Sequence, residues 1–453
     1  MARITLAQAA RWCGGTIDPK YADVSFLGAN NDSRKVEPGQ LFVALQGVRD
    51  GHDYIPMAIE KGAAAVLCTH CDGDYPAIVV EDTRIALGQI AREERKRLGM
   101  RVVGVTGSVG KSTTKEMIAS VLETTYRVAK TPANHNNDIG MPMAILSIPE
   151  DTEVAVLEMG MNHFREIAYL SNIGQPDVAV IINIGTMHIE HLGSKEGIRQ
   201  AKLEILEGLR PGGTILLNGD DEMLWQVHDQ LRVPCVYFGA ENENCAIRGT
   251  NVAMMESGLS FDAQSRQGQL HIALALEGQH YLLDALAAVS VGLQLGVTPE
   301  YIAEALGSFR NMAGRQEIFE ANGYTIIKDC YNAGPESMAA ALAVLCKKPG
   351  RRIAVLGDML ELGKRAPAEH YRIGRITAEN ADMLFAYGPN SGRVVSGAFT
   401  GGMDSVRARA FDDQQKLASA LKAIVKPGDV LLFKGSHGMH MERILELLLQ
   451  VDA

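Results

Sequence analysis

The sequence predicts an α/β protein built as three units, and three observations carry that prediction. At 453 residues the chain is too long for one ordinary core. Apolar runs of strand length alternate with helical stretches from residue 101 and again from about 311, the pattern of parallel sheets with crossover helices. Between the first of these strands and the helix that follows stands a glycine-rich segment, Gly104 to Glu116, of the kind that cradles phosphate.

The composition shifts place the units at 1–98, 99–310 and 311–453. The first mixes short apolar runs with turns: VEPGQLFVAL at 36–45, DGHDY at 50–54 and GAAAVLC at 62–68. Its Arg-rich end, AREERKRLGM at 91–100, reads as an exposed helix end leading into a linker. In the second, RVVGV (101–105), EVAVLEM (153–159), DVAVIINI (177–184) and GGTILLN (212–218) are strand candidates. In the third they are TIIKD (325–329), RRIAVLG (351–357), MLFAYG (383–388) and DVLLFKG (429–435), with a helix opening at Pro335, a favoured first-turn position. No internal repeat, low-complexity tract or heptad pattern interrupts them. Ligands in open α/β sheets gather at the carboxyl ends of strands, so the polar residue closing each strand matters most.

Hydrophobic content of 46% and charged content of 22% describe a globular chain. A formal charge of −10 argues against a broad nucleic-acid-binding face, although a local anion pocket remains compatible with it. The opening MARITLAQAARWCGG lacks the unbroken apolar core of a signal peptide, and no run approaches the roughly 18–20 apolar residues of a membrane span. Seven cysteines, odd in number and scattered, fit reduced thiols and a cytoplasmic location. Cys68 and Cys71 form a C-x-x-C, but no second pair follows at zinc spacing, so they read as small residues after a buried strand.

In GVTGSVGKSTTKE, glycines let backbone N–H groups approach phosphate oxygens, Lys111 supplies a mobile cation, Ser112 a hydroxyl for Mg²⁺, and the helix N-terminus a favourable dipole. The strict phosphate-loop pattern wants Gly at 105, where Val105 stands; Gly104 and Gly107 flank the first half instead. A bound phosphate needs a metal, and the metal needs carboxylates. Glu158 closes an otherwise apolar strand and reads equally as a ligand or an exposed strand end. Asn183, His188, Glu190 and His191 follow the next strand, where His188 alone would pass for a loop histidine. Lys202, on a helical stretch, would alone be a surface lysine.

The variant T-G-[ST]-x-G-K-[ST]-T is that of Mur ligases and folylpolyglutamate synthetases, and the chain resembles the Mur ligase family along almost its whole length. DSRKVEPGQLFVALQGVRDGHDYI (Asp32–Ile55) looks like its N-terminal UDP-binding signature. NHNNDIGMP (Asn134–Pro142), AGRQEI with NGYTIIKDCYNAGPESM (Ala313–Met338), LGDMLELG (Leu356–Gly363) and FKGSHGMHME (Phe433–Glu442) follow in the order of the branch that adds D-Ala-D-Ala.

The resemblance implies a small α/β domain for the UDP-sugar peptide, a central P-loop domain for ATP with a parallel sheet, and a Rossmann-like C-terminal domain. It implies an ATP-dependent ligase of peptidoglycan synthesis that joins D-Ala-D-Ala to UDP-MurNAc-tripeptide through an acyl phosphate. Gly107, Ser108, Gly110, Lys111, Ser112, Thr113, Asn137, Arg315, Asp329 and Asn332 would then bind ATP. Ser112, Glu158, His188 and Lys202, the last as a carbamate, would hold two Mg²⁺ ions. Lys111, Glu158, His188 and Lys202 would be catalytic, and Ser33, Arg34, Asp50, Gly51 and His52 would meet the UDP end. Neither nucleic acid nor a membrane is an expected partner, and a monomer is expected.

Two departures stand out. The family's G-x-H-N-x-x-N-A-L-A-A reads GQHYLLDALAA here, with Tyr281 and Asp284 in the Asn positions. Lost amide hydrogen bonds would cost about 1–3 kcal/mol unless, for example, Tyr281 stacks on the base. His280 and Asp284 remain candidates there. His437 stands after KGS where Arg is common. The rival readings are another amide ligase of the superfamily, of MurE or folylpolyglutamate synthetase type, and an inactive nucleotide-binding partner subunit. The third residue of the acceptor peptide, diaminopimelate or lysine, stays open.

Overall fold

The structure, a computed structural model, describes residues 4–255 and 258–450. Its first part holds a four-stranded parallel sheet whose spatial order follows the chain: Ala29–Asn30, Leu41–Val43, Ala65–Cys68 and Ala77–Val79. Cys68 ends the third strand, and Cys71 lies beyond it with its thiol donating to the Gly73 carbonyl. The helix Thr83–Leu98 starts on Asp82, whose carboxylate accepts the amides of Arg84 and Ile85, and stops on Gly99 at φ +67°.

The expectation of an exposed end for this helix holds for Arg92, Lys96 and Arg97 and is corrected for two residues. Glu94 and Arg95 are buried, because the helix lies on the next unit against helices Gly140–Leu146 and Glu166–Gly174. The Arg95 guanidinium donates to the carbonyls of Gly174 at 2.8 Å and Gln175 at 2.9 Å, and lies 3.3 Å from Asp177. A guanidinium there answers the orphan carbonyls and the negative dipole of a helix C-terminus. The expected linker is short: Met100 is buried and the next strand begins at Arg101.

The central sheet has nine strands. Its parallel part runs, in spatial order, Cys235–Gly239, Thr214–Asn218, Val178–Ile181, Arg101–Thr106, Val154–Glu158 and Val128–Lys130. All four strands expected here are found, and apolar clusters fill both faces, as a sheet covered by helices on each side requires. Beyond them Ile247–Met255, Gly258–Ser265 and Gly268–Leu274 extend the edge, the last two pairings antiparallel. The third sheet orders its six strands Glu317–Ala321, Tyr324–Asp329, Val430–Lys434, Arg352–Gly357, Met383–Tyr387 and Ala408–Phe411, parallel except for the first pair. Asp329 and Lys434 are register partners at the carboxyl ends of their strands. Among the described residues no helix is long and apolar enough to cross a membrane.

While Asp177 keeps the Val102 amide and Arg210, Arg95→Ala strands two helix-end carbonyls at this boundary. It should lower unfolding stability by about 2–4 kcal/mol, read from the urea midpoint of the full chain.

Candidate active site

The strand Arg101–Thr106 feeds directly into the glycine-rich loop and then into helix Lys111–Glu123. Gly110 caps that helix at φ +88°, and a Cβ there would lie 2.5 Å from Asp284 Oδ1, so the position tolerates glycine alone. Asn183, leaving the adjacent strand, clamps the loop. Its Oδ1 accepts the amides of Ser108 at 3.0 Å and Val109 at 2.9 Å, while its Nδ2 donates to the Val109 carbonyl at 3.0 Å. Lys111 folds over the loop, donating to the Gly107 carbonyl at 2.8 Å. Burial pushes its ammonium pKa down, and Glu158 partly offsets this.

Glu158 ends the neighbouring strand and is only 2% exposed, which excludes the exposed-strand-end alternative. Its Oε2 accepts from the Ser112 hydroxyl at 2.8 Å, and its Oε1 from Asn136 Nδ2 at 2.8 Å. Asn136 carried no role in the sequence assignment. Its neighbour Asn137, which did, lines the cleft but uses its side-chain oxygen to cap helix Gly140–Leu146, accepting from Ile139 and Gly140.

Lys202 sits on helix Lys195–Leu203 and is 2% exposed, so the surface-lysine alternative fails. Burial, reinforced by Lys111, drives its pKa well below the ordinary lysine value. It does not line the cleft. His188 takes a left-handed conformation, φ +63°, and its Nδ1 lies 2.7 Å from Glu361 Oε2 at an angle poor for a hydrogen bond. The imidazole beside it draws the Glu361 carboxyl below its ordinary pKa. Glu361 belongs to LGDMLELG, so this pair joins the second unit to the third. A second tie runs from Glu336, which accepts from the Thr186 amide at 3.1 Å and hydroxyl at 2.9 Å.

The third unit also sends Arg315 to the loop: its Nη2 donates to the Ser112 hydroxyl at 2.9 Å. Its guanidinium lies 4.0 Å over the Tyr331 ring, and its Nε is buried without a partner. Lys434, another residue without an assigned role, is buried and bonds Asp329 Oδ2 at 2.6 Å and the Asn332 carbonyl at 3.0 Å. Its position at a strand's carboxyl end was the available signal. His437 stands 6.2 Å from the Tyr331 ring, measured between centroids.

The departures on helix Tyr281–Leu295 line the cleft, as His280 does, and are also hydrogen-bonded within the protein. Tyr281 is buried with its hydroxyl taken by Asn311 at 2.8 Å, while Asp284 accepts from Thr114 at 2.8 Å beneath the phosphate loop. Burial raises the Asp284 carboxyl to about 7, against lowering by Thr114 and Arg315. His280 is exposed at the cleft, and desolvation by its crowded surroundings lowers it to about 4.

One cleft of about 810 Å³ is lined by Ser108, Gly110, Lys111, Ser112, Thr113, Asn137, Glu158, His188, Arg315, Asp329 and Asn332, with Arg84 and Ile85 of the first unit. Gly107 packs against Ile182 under the loop. Ser33, Arg34, Asp50, Gly51 and His52 lie outside this cleft. Ser33 is buried toward Met57, and Arg34 bonds Asp32 at 2.9 Å. Asp50 Oδ1 accepts the His52 amide at 3.0 Å and meets its Nδ1 at 2.6 Å, while His52 Nε2 accepts from the Thr69 amide at 2.9 Å.

Among the described residues no three His, Cys, Asp or Glu side chains are gathered as a metal cluster. Ser112 and Glu158 nevertheless offer the hard oxygen donors Mg²⁺ prefers, and Mg²⁺ usually takes few protein ligands beside phosphates and water. The donor set fits one ion directly.

Comparison with known proteins places this geometry. The profile of the Mur ligase middle domain matches residues 105–292, that of the Mur ligase glutamate ligase domain 314–437, and that of the Mur ligase family catalytic domain 24–102. The UDP-N-acetylmuramoyl-tripeptide--D-alanyl-D-alanine ligase of Bacillus subtilis is 38% identical, with 99% of each chain covered. The crystal structure of MurF from Acinetobacter baumannii superposes with a TM-score of 0.91 at 31% identity over 99% of both chains. MurF from Thermotoga maritima in complex with ADP does so at 0.82 and 31%, covering 93% of this chain and 97% of that one.

Because the folded pKa of Asp284, about 7, lies above the ordinary 3.8, folding favours the neutral acid. Its contribution is fully present below about pH 4 and is lost as pH rises toward 7. The stability gained by Asp284→Asn should therefore widen between pH 4 and 7 and stay constant above, measured as urea midpoints across that range.

Proposed function

The chain belongs to the Mur ligase family, and on that premise we propose that it joins D-Ala-D-Ala to UDP-MurNAc-tripeptide with ATP, releasing ADP and phosphate in peptidoglycan synthesis. The observation that carries this best is the contact of Arg315, from the third unit, with Ser112 on the phosphate loop, where Ser112 in turn meets Glu158. A nucleoside triphosphate is the ligand that such a junction of loop amides, two cations and a metal-type carboxylate suits.

The loop amides and Lys111 bind the phosphates, and the unpartnered Nε of Arg315 is a free donor for them. Asp329, held by Lys434, and Asn332 orient the nucleotide from the third unit. A carboxylate is a poor electrophile, so an oxygen of the tripeptide's terminal carboxylate attacks the γ-phosphorus and the ADP oxygen leaves. The amine of D-Ala-D-Ala then attacks the carbonyl carbon of the acyl phosphate, loses a proton, and phosphate departs from the tetrahedral intermediate. Mg²⁺ at Ser112 and Glu158 supplies neutralisation of the crowded phosphate charge, with His188 the candidate for a second ion. The ties Glu336–Thr186 and His188–Glu361 close the third unit on the second and exclude the water that would hydrolyse an acyl phosphate.

Lys202 is proposed as a carbamate. Its depressed pKa favours the neutral amine, the form that attacks CO₂, and the product is a carboxylate-like oxygen donor. Ser33, Arg34 and the 50–52 turn are proposed for the UDP end. Residues 1–98, 99–310 and 311–453 are proposed as the three domains of a cytoplasmic monomer. The rival superfamily ligases are disfavoured by a relative named for D-alanyl-D-alanine addition that aligns over 99% of the chain.

Purified protein should release ADP only when Mg²⁺, UDP-MurNAc-tripeptide and D-Ala-D-Ala are all present, with the pentapeptide product seen by mass; running lysine and diaminopimelate acceptors side by side identifies the third residue. ATP binding without release on either acceptor would instead favour the inactive-partner reading. Arg315→Ala should lower kcat/KM for ATP by about 10–100-fold, the scale of one charged hydrogen bond. Exposure to ¹³CO₂ should give a carbamate carbonyl resonance that Lys202→Arg removes.

A further inference from the structure

Lys115 follows the phosphate loop by one helical turn and is 0% exposed. A buried ammonium is costly unless its charge and donors are answered. Its Nζ donates to the Thr131 carbonyl at 2.7 Å and lies 3.1 Å from Glu116 Oε1 and 3.9 Å from Glu158 Oε2. Glu116 does not neutralise it alone, because the same carboxylate also takes Lys130 at 2.6 Å. Thr131 ties the group together, since its hydroxyl accepts the Glu158 amide at 3.0 Å. Glu158 lines the cleft, and Lys115 does not. Lys115 therefore touches no substrate, and its charge acts through Glu158.

Lys115 is thus a buried cation beside the carboxylate that bonds the loop's Ser112, the hydroxyl that Arg315 also reaches. A divalent cation arriving alone at Glu158 would meet the Lys115 charge, whereas a metal–nucleotide complex brings its own negative charge to offset it.

We propose that Lys115 is a positioning residue whose buried charge keeps Glu158 from holding a divalent cation by itself, so that the metal enters with the nucleotide. This rests on Glu158 being a metal ligand. The same lysine, through Thr131, holds the Glu158 backbone, while Ser112 and Asn136 aim the carboxylate.

The test is Mn²⁺ binding to the full chain, read from the electron paramagnetic resonance signal of the free ion, with and without ADP. Lys115→Gln keeps a donor for the Thr131 carbonyl and removes the charge. Without nucleotide it should bind Mn²⁺ about ten-fold or more tightly than wild type, while Lys115→Arg should behave as wild type. Glu158→Gln should abolish tight Mn²⁺ binding in the ADP complex; if it does not, the ligand role of Glu158 fails first. If it does, and a folded Lys115→Gln shifts nucleotide-free affinity by less than about two-fold, the counter-charge role alone is overturned. Should Lys115→Gln fail to give a cooperative thermal melt, Glu116→Gln decides instead. It leaves Lys115 less neutralised and should weaken Mn²⁺ binding to the ADP complex by about three-fold or more, and an unchanged affinity overturns the proposal.

Discussion

A carboxylate at the end of a buried strand is the constraint on which the site depends. Glu158 closes Val154–Glu158, whose five residues are all buried, in register beside Val105 of the strand that feeds the phosphate loop. Such a charge must be answered from several directions at once. Ser112 and Asn136 donate to its two oxygens, Thr131 holds its amide, and Lys115 stands 3.9 Å away. Ser112 and Lys115 come from helix Lys111–Glu123, and Thr131 and Asn136 from the stretch after strand Val128–Lys130, so meeting the needs of one carboxylate fixes the mutual placement of that helix, the NHNN segment and the sheet.

The same economy governs the junction between units. The phosphate loop cannot be shielded by its own sheet, because the carboxyl ends of parallel strands open outward. A second α/β unit has to cover it. Arg315, Glu336 and Glu361 all cross that gap, and each meets a residue on or just after a central strand: Ser112, Thr186 and His188. His188 takes a left-handed backbone to do so, which costs of order 1 kcal/mol or more in a non-glycine residue and persists only where its surroundings impose it.

What was legible in the sequence is what short-range physics decides. Continuous apolar runs marked all eight candidate strands, and the glycines around Lys111 marked the loop. The antiparallel edge was not among the strand candidates, although Leu259, Phe261 and Ala263 alternate with polar residues along Gly258–Ser265, a signal that could have found it. Burial of long charged side chains was not legible. Lys202 and Arg95 look like surface residues because only tertiary packing puts them inside, against partners far away in sequence: for Arg95, carbonyls 79 and 80 positions on. The choice between Asn136 and Asn137 likewise rests on backbone direction in a turn, where one residue's shift exchanges a carboxylate contact for a helix cap. The 32–55 segment was recognised by its pattern, yet its polar groups mostly serve one another, as the Asp50–His52–Thr69 chain shows.

The two departures on helix Tyr281–Leu295 bear on how such a site tolerates change. Judged as lost amides they would weaken binding, yet neither is left as a gap. The Tyr281 hydroxyl takes up Asn311 in the segment that leads from the second unit into the third, and Asp284 takes up Thr114 beneath Gly110. Tyr281 therefore braces the segment into the third unit and Asp284 the loop, while both line the cleft. Asp284 does this as an acid whose neutral form burial favours, which keeps a second negative charge away from a loop built to receive phosphates. Near neutrality an ionised Asp284 would set its charge against the same oxygens that Lys111 and Arg315 attract. The substitution thus preserves shape at the expense of electrostatic margin.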